Sequence, residues 1–275
     1  MVQFGSVAIS WHGLFMSLGI VVGAVLTVRF ARSKGITSES AHYELVLWTV
    51  IGGMLGARVT HVLDNLSFYT EHPLQILRIW EGGLGWYGGL IGALLVSIIY
   101  CKLKHLPFGK LADAAAPGVM LGLAIGRIGC TINGDAHGIE TSLPWGMIYT
   151  HPDSYVPLTL LGVPTHPSPV YEIFWVLGVC AFLLFLKDQF RSDGALLLLM
   201  LGAYSFGRFI ISWSRDEPAI LGSLHQSHVI SLILIALSIG FLIYRESRAE
   251  KDDLDDYFND DLSEDNNHAF ISESP

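Results

Sequence analysis

Seven stretches of mainly apolar residues, each near the ~20 that a helix needs to cross a bilayer core, dominate this chain. They run over 7–30, 45–63, 84–100, 112–130, 169–186, 195–213 and 226–244. A chain with seven such segments has no watery surface to offer a soluble domain. Composition agrees: 15% of the residues are charged and mean hydropathy is +0.48, whereas an ordinary soluble domain carries about 25% charged residues. The expected fold class is an all-α membrane protein with seven transmembrane helices.

Charge sets the expected orientation. Arg29, Arg32 and Lys34 close the first span, which has no basic residue before it. That is the pattern of an anchor with its N-terminus outside, and not of a cleavable signal peptide. Lys102, Lys104, Lys110, Lys187, Arg191, Arg245, Arg248 and Lys251 then fall on the inside as well. The C-terminus is expected inside. Residues 245–275 hold eleven acids against three bases, and they account for most of the net charge of −9. They are expected to form an acidic, disordered tail behind a membrane domain of residues 1–244. The segment 131–166 has no Lys or Arg and is rich in Pro and Gly. It is expected to form a small extracytoplasmic cap between spans four and five. No basic patch suggests nucleic acid. The cysteines Cys101, Cys130 and Cys180 show no metal-ligand spacing, and Cys101 and Cys180 read as small buried hydrophobes.

The other five basic residues are all arginine: Arg58, Arg78, Arg127, Arg208 and Arg215. They lie in the outward half of a span or in an outside loop. A charge at a helix centre costs about 2.5–3.5 kcal/mol on the insertion scale, so such residues mark function by default. Arginine forks onto phosphate and carboxylate where lysine is a point charge. The structural alternative is pairing with Asp64, Asp113, Asp135 or Glu172.

Three segments break the lipid-facing pattern. Residues 82–92 are glycine-rich and offer either exposed helix-start amides at Gly88 and Gly89 or a close-packed helix contact. Residues 126–138 place Arg127, Asn133, Asp135 and His137 at the end of a span. Residues 202–218 put Tyr204 and Arg208 on one helix face, with Arg215 on roughly the same side if the helix continues that far. Together with Ser10-Trp11-His12-Gly13-Leu14 and His166-Pro167-Ser168-Pro169-Val170-Tyr171-Glu172, these segments resemble the prolipoprotein diacylglyceryl transferases.

That resemblance implies a multi-pass enzyme of the bacterial plasma membrane. Such an enzyme moves diacylglycerol from phosphatidylglycerol to the lipobox cysteine of a prolipoprotein signal peptide. The products are a thioether and glycerol phosphate, and no metal or other cofactor is implied. Arg127, Asn133, Gly138, Gly88, Gly89 and Arg215 are the expected phosphatidylglycerol-binding residues. Arg208, His12, Tyr87, Asp135 and Tyr204 are the expected catalytic ones, with Tyr204 as a hydrogen-bond partner for Arg208. His12, Asp135 and His137 compete as the base, and His166 and Glu172 are expected to pin the cap. The chain departs from the family's usual residues at several of these positions. His12 replaces Tyr, Tyr87 replaces His, Cys130 replaces Asn, Asp135 replaces Glu and Ser212 replaces Glu. The first two read as an exchange if those sites face each other. Competing functions are a non-catalytic relative that binds lipid or prolipoprotein, and a seven-span transporter. A retinal-type pump is excluded by the lack of a lysine in any span.

Overall fold

A computed structural model describes residues 2–4, 7–33, 35–36, 39–79, 82–217 and 219–272. The described residues form α-helices with three short two-stranded sheets. Among the described residues, six helices are long and apolar enough to cross a membrane: Trp11–Ser33, Ala41–Asp64, Phe108–Asn133, Ser168–Phe185, Ala195–Ser212 and Gln226–Lys251. Gly88–Leu103 is a shorter apolar helix at the place expected for the third span. Large apolar side chains such as Val21, Leu55, Phe174, Phe185, Ile233 and Phe241 point outward from these helices. Such surfaces are tolerable only against lipid or a partner.

The contacts divide into two compact units, Met1–Gly23 with Ala116–Pro275, and Ala24–Ala115. In the second unit, α2 (Glu39–Asp64) packs along α4 (Trp86–Leu103). The contact runs through glycines: a Cβ on Gly56 would lie 2.2 Å from the Gly88 carbonyl, and one on Gly92 2.3 Å from the Gly52 carbonyl. Thr49 and Ser97 hydrogen-bond across it at 2.7 Å. Small-residue packing of this kind is how apolar helices associate in lipid. It fixes the role of Gly88, which is buried against α2, while the Gly89 amide is spent on the Gly85 carbonyl at 3.1 Å. The expected exposed amides at Gly88 and Gly89 therefore give way to the helix contact.

Arg58 also belongs to this unit, and its burial has a structural explanation. Its guanidinium donates to the carbonyls of Gln75, Ile76, Gly82 and Gly83 and stands over the Tyr69 ring. It clamps the loop between α3 (Leu66–Glu71) and α4.

In the first unit, Gly122, Gly126 and Gly129 recur at i, i+4 and i+7 on α5 (Phe108–Asn133) and face α1 (Trp11–Ser33). A Cβ on Gly122 would sit 2.7 Å from the Gly19 carbonyl, and one on Gly129 3.0 Å from the His12 Cα. The apolar core joins α5 to α6 (Ser168–Phe185) and α7 (Ala195–Ser212) through Met120, Val176, Leu183, Leu196 and Met200. Pro169 in the first turn of α6 presets its helical φ. Gly134, at φ 80°, ends α5, and its amide donates to the Cys130 carbonyl at 2.9 Å.

Between α5 and α6 the backbone folds onto the residues that follow α7. Gly138 and Arg215 form an antiparallel bridge, and the Ile139 amide donates to the Ser214 carbonyl at 3.0 Å. The strands Met147–Ile148 and Pro164–Thr165 pair within this segment. The last helix, α8, runs from Gln226 to Ser272, into the acidic segment for which disorder was expected. Side chains beyond Lys251 lie outside the described residues.

Candidate active site

α5 carries Arg127, Cys130 and Thr131 at i, i+3 and i+4, one face of its last turns. The Arg127 Nη2 donates to Glu172 Oε1 on α6 at 2.8 Å. Tyr204 on α7 donates its hydroxyl to the same oxygen at 3.0 Å. The other carboxylate oxygen, Oε2, faces Arg208 Nη1 at 3.6 Å and Arg215 Nη1 at 3.8 Å. Arg208 Nη2 and Arg215 Nε both donate to Glu217 Oε1, at 2.6 and 2.7 Å, and Ser227 donates to Glu217 Oε2 at 2.7 Å. Three guanidinium groups thus enclose two carboxylates, leaving one positive charge in a buried cluster.

The cluster has spare donors. Arg127 Nε, Arg208 Nη1 and Arg215 Nη1 are buried without a hydrogen-bond partner, and so is Glu172 Oε2, which faces the last two beyond hydrogen-bond distance. Buried polar atoms are normally satisfied, so these orphans mark a cluster whose hydrogen bonding is incomplete and whose donors outnumber its acceptors. Burial, followed by the nearby Arg208 charge, pulls Arg215 below the ordinary arginine value. Burial pushes Glu217 up, but Arg208, Ser227 and Arg215 together outweigh it and hold its carboxyl below the ordinary value.

Three expectations change here. Glu172 does not fasten the segment between α5 and α6; it is 1% exposed at the centre of the arginines. Tyr204 bonds Glu172 and not Arg208 directly. α7 stops at Ser212, before Arg215, yet the bridge to Gly138 still delivers the Arg215 guanidinium to the cluster. Gly138 itself is a close backbone approach: a Cβ there would lie 2.4 Å from the Ser214 carbonyl. Of the four acids offered as structural partners for the arginines, Glu172 is the one that pairs with Arg127; Glu217 was absent from the expectations, because nothing in its spacing joins it to Arg127. Ser212 spends its hydroxyl on the Arg208 carbonyl at 2.7 Å.

A second group of polar residues adjoins the first through Cys130. Its Sγ lies 3.8 Å from Arg127 Nη1 and 3.6 Å from His12 Nδ1. The same His12 nitrogen is 3.5 Å from Asp135 Oδ2. Tyr149 donates its hydroxyl to the Thr131 carbonyl at 3.0 Å, and burial, aided by Asp135 and Cys130, pushes its phenol up to about 12. Asn133 ends α5, and its carbonyl accepts the Tyr155 amide. His137 Nδ1 bonds the Gly134 carbonyl at 2.9 Å and its Nε2 faces Asp216 at 3.7 Å, away from His12. The backbone bonds of His166 to Gly138 and Ile139 lie within the segment between α5 and α6, and its Nδ1 meets the Tyr171 hydroxyl of α6 at 3.3 Å. Tyr87 belongs to the other unit, and its side chain, with the His12–Tyr87 exchange, lies outside the described residues.

The family model for prolipoprotein diacylglyceryl transferase matches residues 1–244. The chain belongs to this family. Proteins named phosphatidylglycerol–prolipoprotein diacylglyceryl transferase are similar over most of its length. One from Bacillus licheniformis is 36% identical over 251 residues, covering 90% of this chain and 93% of the relative. One from Listeria innocua is 35% identical over 246 residues, covering 89% and 88%. One from a Nostoc species is 36% identical over 255 residues, again covering 89% and 88%. Within this transferase family, the buried arginine cluster of the present chain is assembled by α5, α6, α7 and the turn after α7.

Proposed function

We propose that this chain transfers the diacylglyceryl group of phosphatidylglycerol to the thiol of a prolipoprotein lipobox cysteine. The observation that carries the proposal is the buried arginine cluster with its three orphan donors and single surplus positive charge. A phosphodiester headgroup supplies one negative charge and several acceptor oxygens, which matches both deficits.

The chemistry assigns the roles. A thiolate attacks the glyceryl carbon bonded to phosphate, the C–S bond forms, and the C–O bond breaks with its electrons on the leaving phosphate oxygen. Arg127 holds the lipid phosphate. Arg208 and Arg215 meet the charge that grows on the leaving oxygens, an interaction strengthened by burial. Glu172 and Glu217 keep three like charges together and aim their forks. His12, oriented by Asp135, takes the thiol proton. Asn133 lies at the same end of α5 and orients the headgroup.

The same reading counts α4 as a seventh span. It puts the N-terminus and the segment between α5 and α6 outside the bacterial plasma membrane, and the C-terminus inside, since eleven of sixteen basic residues then lie inside.

The test is transfer itself. Purified protein is given labelled phosphatidylglycerol and a lipobox peptide, beside an Arg127→Ala variant. A diacylglyceryl peptide from the wild type alone is expected. A folded, lipid-binding wild type that forms none sinks the proposal and leaves a non-catalytic relative.

A further inference from the structure

Arg215 reaches the buried cluster from irregular backbone. α7 ends at Ser212, and the turn that follows is tied down by an isolated antiparallel bridge between Gly138 and Arg215. The Ile139 amide and the Ser168 hydroxyl both donate to the Ser214 carbonyl, each at 3.0 Å. Consecutive residues of extended backbone point to opposite faces, and a slip of one residue exchanges them. Such a slip would turn the Arg215 guanidinium away from Glu172 and Glu217 and bring the Asp216 carboxylate in its place. Something must fix the register of so short a pairing.

In an antiparallel bridge that opposes Gly138 and Arg215, the neighbouring pair is His137 opposite Asp216. Their side chains meet, with His137 Nε2 at 3.7 Å from Asp216 Oδ2. The ring is fixed at its other nitrogen. The Gly134 carbonyl, 2.9 Å from Nδ1, can only accept, so Nδ1 carries a hydrogen. In the neutral ring Nε2 then bears a lone pair that faces a carboxylate, two acceptors with nothing between them. Nε2 is also buried without a hydrogen-bond partner. A proton on Nε2 removes both faults and makes it a charged donor. Asp216 is 51% exposed and needs to move in by only about 1 Å to accept it.

We propose that His137 is a positioning residue of the transfer reaction: protonated on Nε2, it grips Asp216, fixes the register of the turn after α7 and so holds the Arg215 guanidinium against the departing phosphate. This role rests on the transfer reading and on the part Arg215 plays in it. His137 itself acts only through Arg215. The other charged or titratable groups on the backbone packed here are turned elsewhere. Arg215 faces Glu172 and Glu217, Asp135 faces His12 at 3.5 Å, and His166 Nδ1 lies 3.3 Å from the Tyr171 hydroxyl. Among the described residues, Asp216 is the ion-pair partner of His137. Histidine is the side chain that changes charge between about pH 5 and 8. The grip is therefore complete on the acid side and is lost as pH rises.

Two amide substitutions separate the two bonds of the ring. His137→Asn places an amide near the Nδ1 position and can keep the Gly134 bond. His137→Gln places one near the Nε2 position and can donate to Asp216 at every pH. Full-length proteins in detergent are assayed for transfer from phosphatidylglycerol to a lipobox peptide, with size-exclusion elution and helical circular dichroism as folding controls. A misplacement of about 1 Å can cost about 10²-fold in rate, so His137→Asn should lose at least about tenfold in kcat. Its KM for phosphatidylglycerol should change little, since Arg127 still holds the lipid. His137→Gln should keep most of the rate. The ratio of wild-type to His137→Gln rates cancels the shared dependence on His12 and on the acceptor thiol, and it should fall as pH rises. Asp216→Ala, at a half-exposed position, should reproduce the loss seen in His137→Asn, and the double variant should lose no more than either alone. Wild-type kcat in His137→Asn or Asp216→Ala overturns the role. So does a rate ratio that is flat with pH, or a His137→Gln slower than His137→Asn, which would leave the ring serving only the turn at Gly134. If the His137 variants fail to fold, Asp216→Ala decides alone. A wild type that forms no product sinks the transfer reading and this role with it, whereas transfer that these variants leave untouched sinks this role only.

Discussion

Glu172→Gln is the most exacting perturbation of the cluster. The substitution keeps shape and one acceptor oxygen but removes the charge that Arg127, Arg208 and Arg215 share at 2.8, 3.6 and 3.8 Å. Glu172 is 1% exposed, so water cannot replace it. Breaking a buried ion pair by neutralising one partner costs about 3–5 kcal/mol, because the other charge is left uncompensated. At about 2–4 °C per kcal/mol for chains of roughly this size, the melting temperature should fall by about 10 °C. The variant should also gain something. Its cluster carries two surplus positive charges instead of one, so an anionic headgroup should bind more tightly and recover part of the loss. Tryptophan-fluorescence melts in neutral detergent, with and without phosphatidylglycerol, measure both effects. The lipid-induced rise in melting temperature should be larger for Glu172→Gln than for wild type. A variant that melts with the wild type, or gains less from the lipid, refutes the view that Glu172 is the counter-charge holding an anion site together.

Three further outcomes follow from other contacts. Arg208→Lys keeps the charge but loses the fork between Glu217 and Glu172, and transfer should fall about 10²–10³-fold, the usual loss for removing one transition-state donor, in a rate assay with the lipobox peptide. Glu217 has its carboxyl held below the ordinary value of 4.5, so its stabilising contribution is complete above about pH 4.5 and lost as pH falls through the lower folded value. Melts from pH 6 downward should show this loss in wild type and not in Glu217→Gln. Gly122→Val drives a side chain into the Gly19 carbonyl, 2.7 Å from the new Cβ, and should destabilise by about 1–3 kcal/mol in chemical denaturation. The same change at Gly178, where no atom lies within 4 Å, should have little effect.

Spans and charged residues were legible in the sequence to different depths. Hydropathy located the apolar part of every long helix, because lipid forces apolar surface and internal hydrogen bonding together, but it did not foresee that α8 runs on to Ser272 beyond the expected end at 244. The arginines stood out because a charge in a span is costly wherever it lies. Sequence could not separate Arg58 from Arg127, however. Arg58 is buried and Arg127 largely so, but one faces backbone carbonyls of a nearby loop and the other a carboxylate 45 residues away. The sequence leaves Glu172 open as a fastener or as a partner for the arginines for the same reason: its partners arrive from α5, α7 and the turn after α7. The meeting of His12 with Cys130 spans 118 residues and depends on Gly129 letting α1 approach, so no local spacing announces it.

The order in which the cluster's charges occur along the chain has a consequence for biosynthesis. Arg127 and Glu172 come first and pair with each other, so the partly made protein can lodge α5 and α6 in the bilayer as a neutral couple. Arg208 and Arg215 follow with Glu217 close behind, and only their arrival brings the surplus positive charge. A nascent chain interrupted before α7 therefore holds the neutral Arg127–Glu172 couple without the surplus positive charge.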